Sequence, residues 1–221
     1  MPTKLIQGLQ KLNFPQEQIE RLAPLMESYI SELVLFNSAY NLVNTNDREE
    51  IAVRHILDSL SATRHIKALA DERAATIADI GSGGGLPGIP LAAALPQYNF
   101  VLVERMSKRC AFLENASAIL DLKNVVVKNL ELEKTPAASF DIATFRAFRP
   151  LDNKMLKSLL AVLKPGGFLA AYKARGSKIL EEMGALGYVP QDYKTIALEV
   201  PFLTDTNSGD DRERNLVVIS K

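Results

Sequence analysis

The glycine-rich stretch Asp79-Ile-Gly-Ser-Gly-Gly-Gly-Leu-Pro-Gly88 decides the fold class of this chain. Its first residues belong to the β-branched run Thr76–Ile80. A glycine-rich turn between a buried strand and a helix lets a ligand approach the backbone, at the edge where open α/β sheets bind ligands. Gly81, Gly83 and Gly85 are placed for this role, so the stretch predicts a ligand-binding turn.

The turn contains two overlapping glycine patterns. Gly81, Gly83 and Gly85 suit a nucleoside-containing methyl donor, whereas Gly83-Gly-Gly85-Leu-Pro-Gly88 also satisfies the dinucleotide pattern G-x-G-x-x-G. The turn alone therefore leaves both ligands open.

An acidic residue, Glu104, follows the next β-branched run, Phe100–Val103. It lies 23 residues beyond Gly81, near the spacing of about 20 residues expected for a carboxylate that binds ribose hydroxyls. The alternative is a solvated charge paired with Arg105 or Lys108. Its place directly after a strand favours the ribose-binding role.

Strand-like and helical segments alternate on both sides of this region, which predicts parallel strands joined by crossover helices. The predicted strands are 76–80, 100–103, 125–127, 141–145 and 168–172, and the predicted helices are 87–95, 107–120, 151–163 and 177–186. Two last runs, 195–200 and 216–220, flank a polar loop that is too short for a crossover helix, so we expect them to pair antiparallel.

One mostly parallel seven-stranded sheet with an antiparallel last strand is typical of Rossmann-like class I S-adenosylmethionine-dependent methyltransferases. A nicotinamide enzyme normally adds a second half-sheet and a substrate domain, for which 221 residues leave little room. We therefore predict an α/β methyltransferase domain over residues 75–221.

Residues 1–74 lack a strand-like run and are predicted to form a helical appendage. Pro24 should bend or divide one of its helices. The polar stretch Asn44-Thr-Asn-Asp47 should cap another, over residues 49–70.

The sequence shows no sign of export, and its balanced charge gives no long-range attraction to nucleic acid. Lys plus Arg and Asp plus Glu each number 26, so a polyanionic partner would need a local basic patch. Cys110 is the single cysteine, and the sequence shows neither a metal-binding cluster nor a secretory or membrane-spanning segment. We expect a cytoplasmic protein with no bound metal and no membrane partner.

Five segments together resemble one family, the bacterial 16S rRNA guanine-N7 methyltransferase, also called glucose-inhibited division protein B. They are Phe36–Leu42, Arg54–Ser59, Asp79–Pro90, Arg146–Phe148 and Glu213–Ile219. The glycine turn extended by Leu86-Pro-Gly-Ile-Pro90 is much more specific for this family than a bare glycine pattern. Together with Arg54-His-Ile-Leu-Asp-Ser59, the extended turn is close to diagnostic of the family.

The resemblance implies S-adenosylmethionine as the cofactor and a guanine of 16S rRNA, at position 527 in the 530 loop, as the target. The neutral charge favours an assembled small ribosomal subunit over naked rRNA, and a monomer is the expected state. The alternatives are a class I methyltransferase with another substrate, a nicotinamide-dependent oxidoreductase and a non-catalytic RNA-binding protein.

The resemblance also assigns residues. The cofactor-binding set is Gly81, Gly83, Gly85, Leu86, Glu104, Leu132, Glu133 and Arg146, and the substrate-positioning set is Asn41, His55, Asp58, Arg109, Arg146, Lys173 and Arg214. Leu132 and Glu133 are assigned to the adenine, although Glu131-Leu-Glu133 departs from the family's Arg-Ala-Glu. Structural alternatives are a turn for Asn41, packing of the helical appendage for His55 and Asp58, and solvated charges for the basic residues.

No general base is predicted, because N7 of guanine carries a free lone pair and no proton. Positioning should dominate, and it can contribute about 7–11 kcal/mol. The target base should lie in a loop or be turned out of its stack. An arginine fork on O6 and N7 would block the attacking atom.

Overall fold

The computed structural model describes residues 3–71, 74–146, 151–204 and 212–221. Its centre is a seven-stranded sheet with the order β3-β2-β1-β4-β5-β7-β6. The strands are β1 (Thr76–Ile80), β2 (Asn99–Glu104), β3 (Val125–Asn129), β4 (Phe140–Arg146), β5 (Leu163–Lys173), β6 (Lys194–Ala197) and β7 (Asn215–Ser220). Strand β7 pairs antiparallel with both β5 and β6, which confirms the predicted sheet and its antiparallel last strand.

Several predicted boundaries differ from the observed ones near the end of the sheet, and strand β5 begins five residues earlier than predicted. Strand β6 ends at Ala197, not at residue 200. Helix 151–163 was predicted to include Leu163, but this residue begins β5 and pairs with Phe140. The pairing shifts register between Phe140 and Ile142, and this shift accommodates the Pro-Gly-Gly turn inside β5.

The helices of the described residues are α1 (Lys4–Lys11), α2 (Gln16–Tyr40), α3 (Arg48–Ile51), α4 (Asp58–Ser61), α5 (Thr63–Ala70), α6 (Gly88–Ala94), α7 (Ser107–Ile119), α8 (Asn153–Val162) and α9 (Gly176–Ala185). A π-helical turn, Ala52–Leu57, joins α3 to α4. The side chain of Asp47 accepts from the N–H of Glu50 at 2.7 Å and caps α3, as predicted. Helix α2 runs through Pro24 without interruption, so Pro24 does not divide it.

Alternating side chains of the strands build two cores on opposite faces of the sheet, because successive residues of a strand point to opposite faces. Ile77 belongs to the core under α2, α6 and α7. Ala78 belongs to the core under α8 and α9. The sheet is therefore covered on both sides, as expected for a parallel sheet.

The N-terminal helices share their core with the sheet. Tyr29 and Leu33 of α2 and Ile56 of the π-helical turn lie in the same buried cluster as Phe100 and Leu102 of β2. A division of the chain at residue 74 stays a prediction. Over the described ranges we find no helix with the length and apolar character needed to cross a bilayer.

Candidate active site

A cavity of about 730 Å³ opens at the carboxyl ends of β1, β2, β4 and β5. Most of the predicted site residues line it, although they come from distant parts of the chain. They are His55, Asp58, Gly81, Gly83, Leu86, Glu104, Arg109, Arg146, Lys173 and Arg214. The fold therefore brings the predicted cofactor and substrate residues to one cavity.

Four predicted site residues are not in the lining of this cavity. Gly85 faces the helices, since a Cβ there would lie 2.6 Å from Ile89 Cδ1 and 2.8 Å from the hydroxyl oxygen of Tyr29. Asn41 follows α2 in a left-handed conformation, and its carbonyl accepts from Arg109 at 3.0 Å. Leu132 is buried in the core under α8, and Glu133 is exposed beside it. The adenine-contacting role of Leu132 and Glu133 stays a prediction that the geometry does not support.

The glycine turn is held open at Gly83. Its φ is +58°, in the left-handed region that favours glycine. A Cβ there would meet its nearest neighbours only at 3.8 Å and 4.0 Å, so the space beside Gly83 opens into the cavity. The hydroxyl of Tyr29, from α2, donates to the carbonyl of Gly84 and ties the turn to the N-terminal helices.

Asp79 holds both ends of the turn from within the core. One oxygen, Oδ2, accepts from the hydroxyl of Ser82 at 2.7 Å and from the N–H of Gly88 at 2.9 Å. Burial raises the pKa of Asp79 from its ordinary 3.8 to about 6, although these two hydrogen bonds lower it. The carboxylate thus holds the turn in shape, although burial of its negative charge costs free energy.

Glu104 joins the turn to the end of β2. Its Oε2 accepts from the N–H of Gly83 and its Oε1 from the N–H of Met106, both at 2.9 Å. The residue is 4% exposed, which excludes the solvated surface charge considered above. A carboxylate oxygen has two lone pairs, so each one can accept a further hydrogen bond from a ligand hydroxyl.

Arg146, at the end of β4, is held by the segment that connects α3 to α4. Its Nη1 donates to Asp58 Oδ2 at 2.8 Å and to the carbonyl of Arg54 at 3.3 Å, and its Nη2 lies 3.2 Å from His55 Nδ1. Burial, then Arg146, Arg54 and Arg214, lower the pKa of His55 to about 3. Arg214 Nε lies 3.6 Å from Asp58 Oδ1.

The cavity is basic although the chain has no net charge. Its lining contains six cationic side chains and two carboxylates, Asp58 and Glu104. The cationic residues are Arg54, Arg105, Arg109, Arg146, Lys173 and Arg214. Lys173 pairs with Glu182 at 2.7 Å, outside the lining. These residues form a local basic patch, of the kind that a polyanionic partner would need on a chain without net charge, and the patch lines the same cavity as the predicted cofactor site.

Several lining residues were missed by sequence reasoning, and Met106, Phe145 and Tyr172 are the largest apolar and aromatic side chains among them. Met106, two residues after Glu104, is 46% exposed and presents an apolar surface at the cavity. Phe145 and Tyr172 stand near the carboxyl ends of β4 and β5, a position from which their place at the cavity could have been inferred. The predicted residues Ala147 and Phe148 lie outside the described residues, as do Arg149 and most of the polar loop 205–214.

The amino-acid sequence of the chain is similar to those of one family of known proteins. A family model described as rRNA small subunit methyltransferase G matches residues 22–215. A protein of that name from Treponema denticola is 39% identical, over 98% of this chain and 93% of its own length. One from Treponema pallidum is 42% identical, over 82% of this chain and 81% of its own.

Solved structures resemble the fold more distantly. A SAM-dependent methyltransferase from Aquifex aeolicus superimposes with a TM-score of 0.57 at 15% identity, over 88% of this chain and 97% of its own. This likeness confirms the predicted Rossmann-like class I methyltransferase fold.

Proposed function

This chain belongs to the rRNA small subunit methyltransferase G family, and we propose that it methylates N7 of the guanine at position 527, in the 530 loop of 16S rRNA. The family membership confirms the resemblance seen in the sequence motifs and the S-adenosylmethionine-dependent activity, and it excludes the oxidoreductase alternative. One observation carries the proposal: a single cavity combines the glycine turn and buried Glu104 with six cationic side chains.

The residues present fit S-adenosylmethionine. The open space beside Gly83 admits a ligand to the backbone, Glu104 is placed for ribose hydroxyls, and exposed Met106 offers an apolar surface for the adenine. The cavity volume falls in the range of small-molecule sites, about 300–1,000 Å³. S-adenosylmethionine supplies a methyl group on a sulfonium sulfur.

The chemistry asks the chain to position its reactants. N7 of guanine attacks through a lone pair, so no side chain has to remove a proton before the methyl group transfers. The residues around the cavity bind, orient and shield the reactants, and such orientation can contribute about 7–11 kcal/mol to lowering the barrier.

The cationic residues are proposed to hold the RNA. Arg109, Lys173 and Arg214 line the cavity and are placed to contact phosphates, with Asn41 supporting Arg109 through its carbonyl. The target guanine must leave its stack to enter, because side chains reach the deep major groove of A-form RNA poorly. Contacts to N7 itself are excluded, since they would block the attacking atom.

We further propose that the substrate is presented by the small ribosomal subunit and that the enzyme acts as a monomer in the cytoplasm. The absence of net charge supports the first point, because a chain with 26 residues of each sign has no long-range attraction to free RNA. Incubating the purified protein with naked 16S rRNA and with subunits lacking the modification compares the two substrates. Faster methylation of naked rRNA would contradict this proposal.

The decisive experiment compares 16S rRNA from cells with and without the gene, by chemical cleavage at 7-methylguanine. We expect one cleavage site to disappear without the gene and to return when the wild-type protein is supplied. A Glu104→Ala variant is the matched control and should restore it poorly. An unchanged cleavage pattern would overturn the assignment to N7 of this guanine.

A second experiment separates RNA methylation from activity on another substrate. Replacing Arg109, Lys173 and Arg214 together by Ala should weaken association with 16S rRNA and leave binding of S-adenosylhomocysteine nearly unchanged. Unaltered RNA association would favour the class I methyltransferase with another substrate.

A further inference from the structure

The contacts of Arg146 point to a role for His55 that differs from binding the substrate. Three acceptors from one short segment converge on the guanidinium: the carbonyl of Arg54, Nδ1 of His55 and Oδ2 of Asp58. Arg54 and His55 lie in the π-helical turn Ala52–Leu57, and Asp58 follows it directly. Single π-helical turns often mark functional sites.

The hydrogen-bonding capacity of Arg146 fixes the state of His55. A guanidinium has five N–H donors and no acceptor, so His55 Nδ1 must accept. The imidazole is therefore neutral and carries its proton on Nε2. This nitrogen is buried and has no partner in the part of the chain that the structure describes.

The charges around His55 support this assignment. Arg54 lies on its own segment, Arg146 approaches from β4, and Arg214 approaches from the residue before β7, while Asp58 is paired with Arg146 and lies 3.6 Å from Arg214. Burial and these three cations lower the pKa of His55 to about 3. A second ring proton would point at a guanidinium, so the acceptor state persists at neutral pH.

The segment that carries His55 is anchored to the sheet. The hydroxyl of Ser59 donates to the carbonyl of His55 at 2.6 Å. The hydroxyl of Tyr172, from β5, donates to the carbonyl of Ser59 at 2.8 Å. These hydrogen bonds fix the segment that carries the acceptors of Arg146 relative to β5, the strand next to β4, from whose end the side chain of Arg146 extends into the cavity.

We propose that neutral His55 is a positioning residue: through Nδ1, together with Asp58 and the carbonyl of Arg54, it orients the guanidinium of Arg146 for methyl transfer. The proposal rests on the proposed function. Asp58 and the carbonyl of Arg54 restrain only Nη1, and His55 restrains Nη2. Without His55, Nη2 loses the contact that orients it among the described residues, while the charge of Arg146 stays paired with Asp58.

The chain offers a sharp test through two amide substitutions. In His55→Asn the amide oxygen stands where Nδ1 stood, so it can accept from Arg146. In His55→Gln the amide lies one bond further out, at the position of Nε2. Methylation of small subunits should be measured as kcat and KM, alongside the Kd for S-adenosylhomocysteine and urea unfolding.

We expect kcat/KM to fall by about tenfold or more in His55→Ala and His55→Gln, the effect of losing one hydrogen bond to a charged group, and by less than about threefold in His55→Asn. The pH profile of His55→Asn should superimpose on that of the wild type. His65→Asn is the matched control, since it makes the same change at the other histidine of the chain, on α5 outside the cavity.

The outcomes separate this inference from the proposed function. If the wild type does not methylate 16S rRNA, the proposed function fails. If it does, but His55→Asn is as slow as His55→Ala, or His55→Ala is as fast as the wild type, the positioning role of His55 is overturned. Should His55→Ala fail to fold, the comparison of His55→Asn with His55→Gln decides.

Nitrogen-15 NMR of the two imidazoles gives a readout that does not depend on activity. The resonances absent from His55→Asn identify His55. We expect an unprotonated Nδ1 and a protonated Nε2 from pH 8 down to pH 5. The opposite tautomer, or titration near the ordinary pKa of 6.5, would overturn the inference.

Discussion

At the scale of single residues, two buried carboxylates shape the glycine turn from neighbouring strands. Asp79 binds Ser82 and Gly88 from inside, and Glu104 binds the N–H of Gly83 from the cavity side. Replacing the two carboxylates should therefore have different consequences. We expect a change at Asp79 to alter the free energy of unfolding, and a change at Glu104 to alter the affinity for the cofactor.

Asp79 should make stability depend on pH. Its folded-state pKa is raised from 3.8 to about 6, so the folded protein holds a proton that the unfolded chain releases in this range. The stabilisation is complete below about pH 4 and is lost as the pH rises to 6, by roughly 3 kcal/mol, since one pKa unit corresponds to about 1.36 kcal/mol.

Asp79→Asn should remove this loss, because both hydrogen bonds use the same oxygen, Oδ2, and an amide oxygen can replace it. Urea unfolding of the wild type and the variant between pH 4 and pH 7 measures the difference. Parallel curves for the two proteins would show that Asp79 is not the group that titrates.

Glu104→Ala should weaken binding of S-adenosylhomocysteine. The change leaves the N–H groups of Gly83 and Met106 without their acceptor and removes the proposed contact to the ribose. A lost hydrogen bond to a charged group corresponds to an increase in Kd of about tenfold to hundredfold, measurable by calorimetry.

Glu133→Ala is the matched control, because the resemblance assigns this glutamate to the adenine while its position lies outside the cavity lining. Glu133 is exposed and absent from the cavity lining, so its removal should leave Kd nearly unchanged. An equal loss of affinity in Glu133→Ala would restore the adenine-contacting role that the resemblance implied.

At the scale of elements, the junction between the turn and α6 depends on close approach to β2. A Cβ on Gly88 would lie 2.4 Å from Leu102 Cδ2 and 2.7 Å from Asp79 Oδ2. Leu102 is fully buried, so its side chain has little freedom to move. A side chain at the first residue of α6 would therefore crowd Leu102 and Asp79, and glycine lets the helix approach this strand closely.

Gly88→Ala should lower the free energy of unfolding by about 1–3 kcal/mol, the cost of overpacking a core. Gly184→Ala, in α9, is the matched substitution, because a Cβ there meets nothing within 4 Å. It should raise stability by up to about 0.5–1 kcal/mol, since alanine has a higher helix propensity than glycine. Equal effects in urea unfolding would contradict the packing at Gly88.

At the scale of the whole molecule, the N-terminal helices and the sheet share one hydrophobic core. Tyr29 and Ile56 pack in the cluster that contains Ile89 of α6 and Phe100 of β2. The same helices supply the contacts to Gly84 and Arg146 at the cavity. Folding of the sheet and formation of the site are therefore coupled to the first 74 residues.

A protein that begins at residue 75 should not unfold cooperatively, because it would expose the apolar face of β1, β2 and α6. Thermal unfolding followed by circular dichroism, together with size-exclusion chromatography, tests this expectation. A cooperative monomer would instead support the predicted division into an appendage and an independent domain.

The sequence alone was enough for the features that depend on local patterns. Short runs of β-branched, aromatic and other apolar residues located every strand of the sheet, the glycine turn located the edge at which the cavity opens, and Glu104 was placed correctly at the end of the second strand. These inferences succeed because strand formation, tight turns and the edge at which parallel strands end follow from residues close together in the chain.

Only the tertiary structure decided what depends on residues far apart in sequence. It turns Leu132 into the core and leaves Glu133 exposed, and it exposes Met106 in the cavity. It places a π-helical turn within the predicted helix 49–70 and interrupts that helix at Ala62. It also directs Arg54, His55 and Asp58 onto Arg146, about ninety residues later. Such contacts are set by how helices and sheet pack together, and the spacing of residues along the chain does not encode the direction of a side chain across that interface.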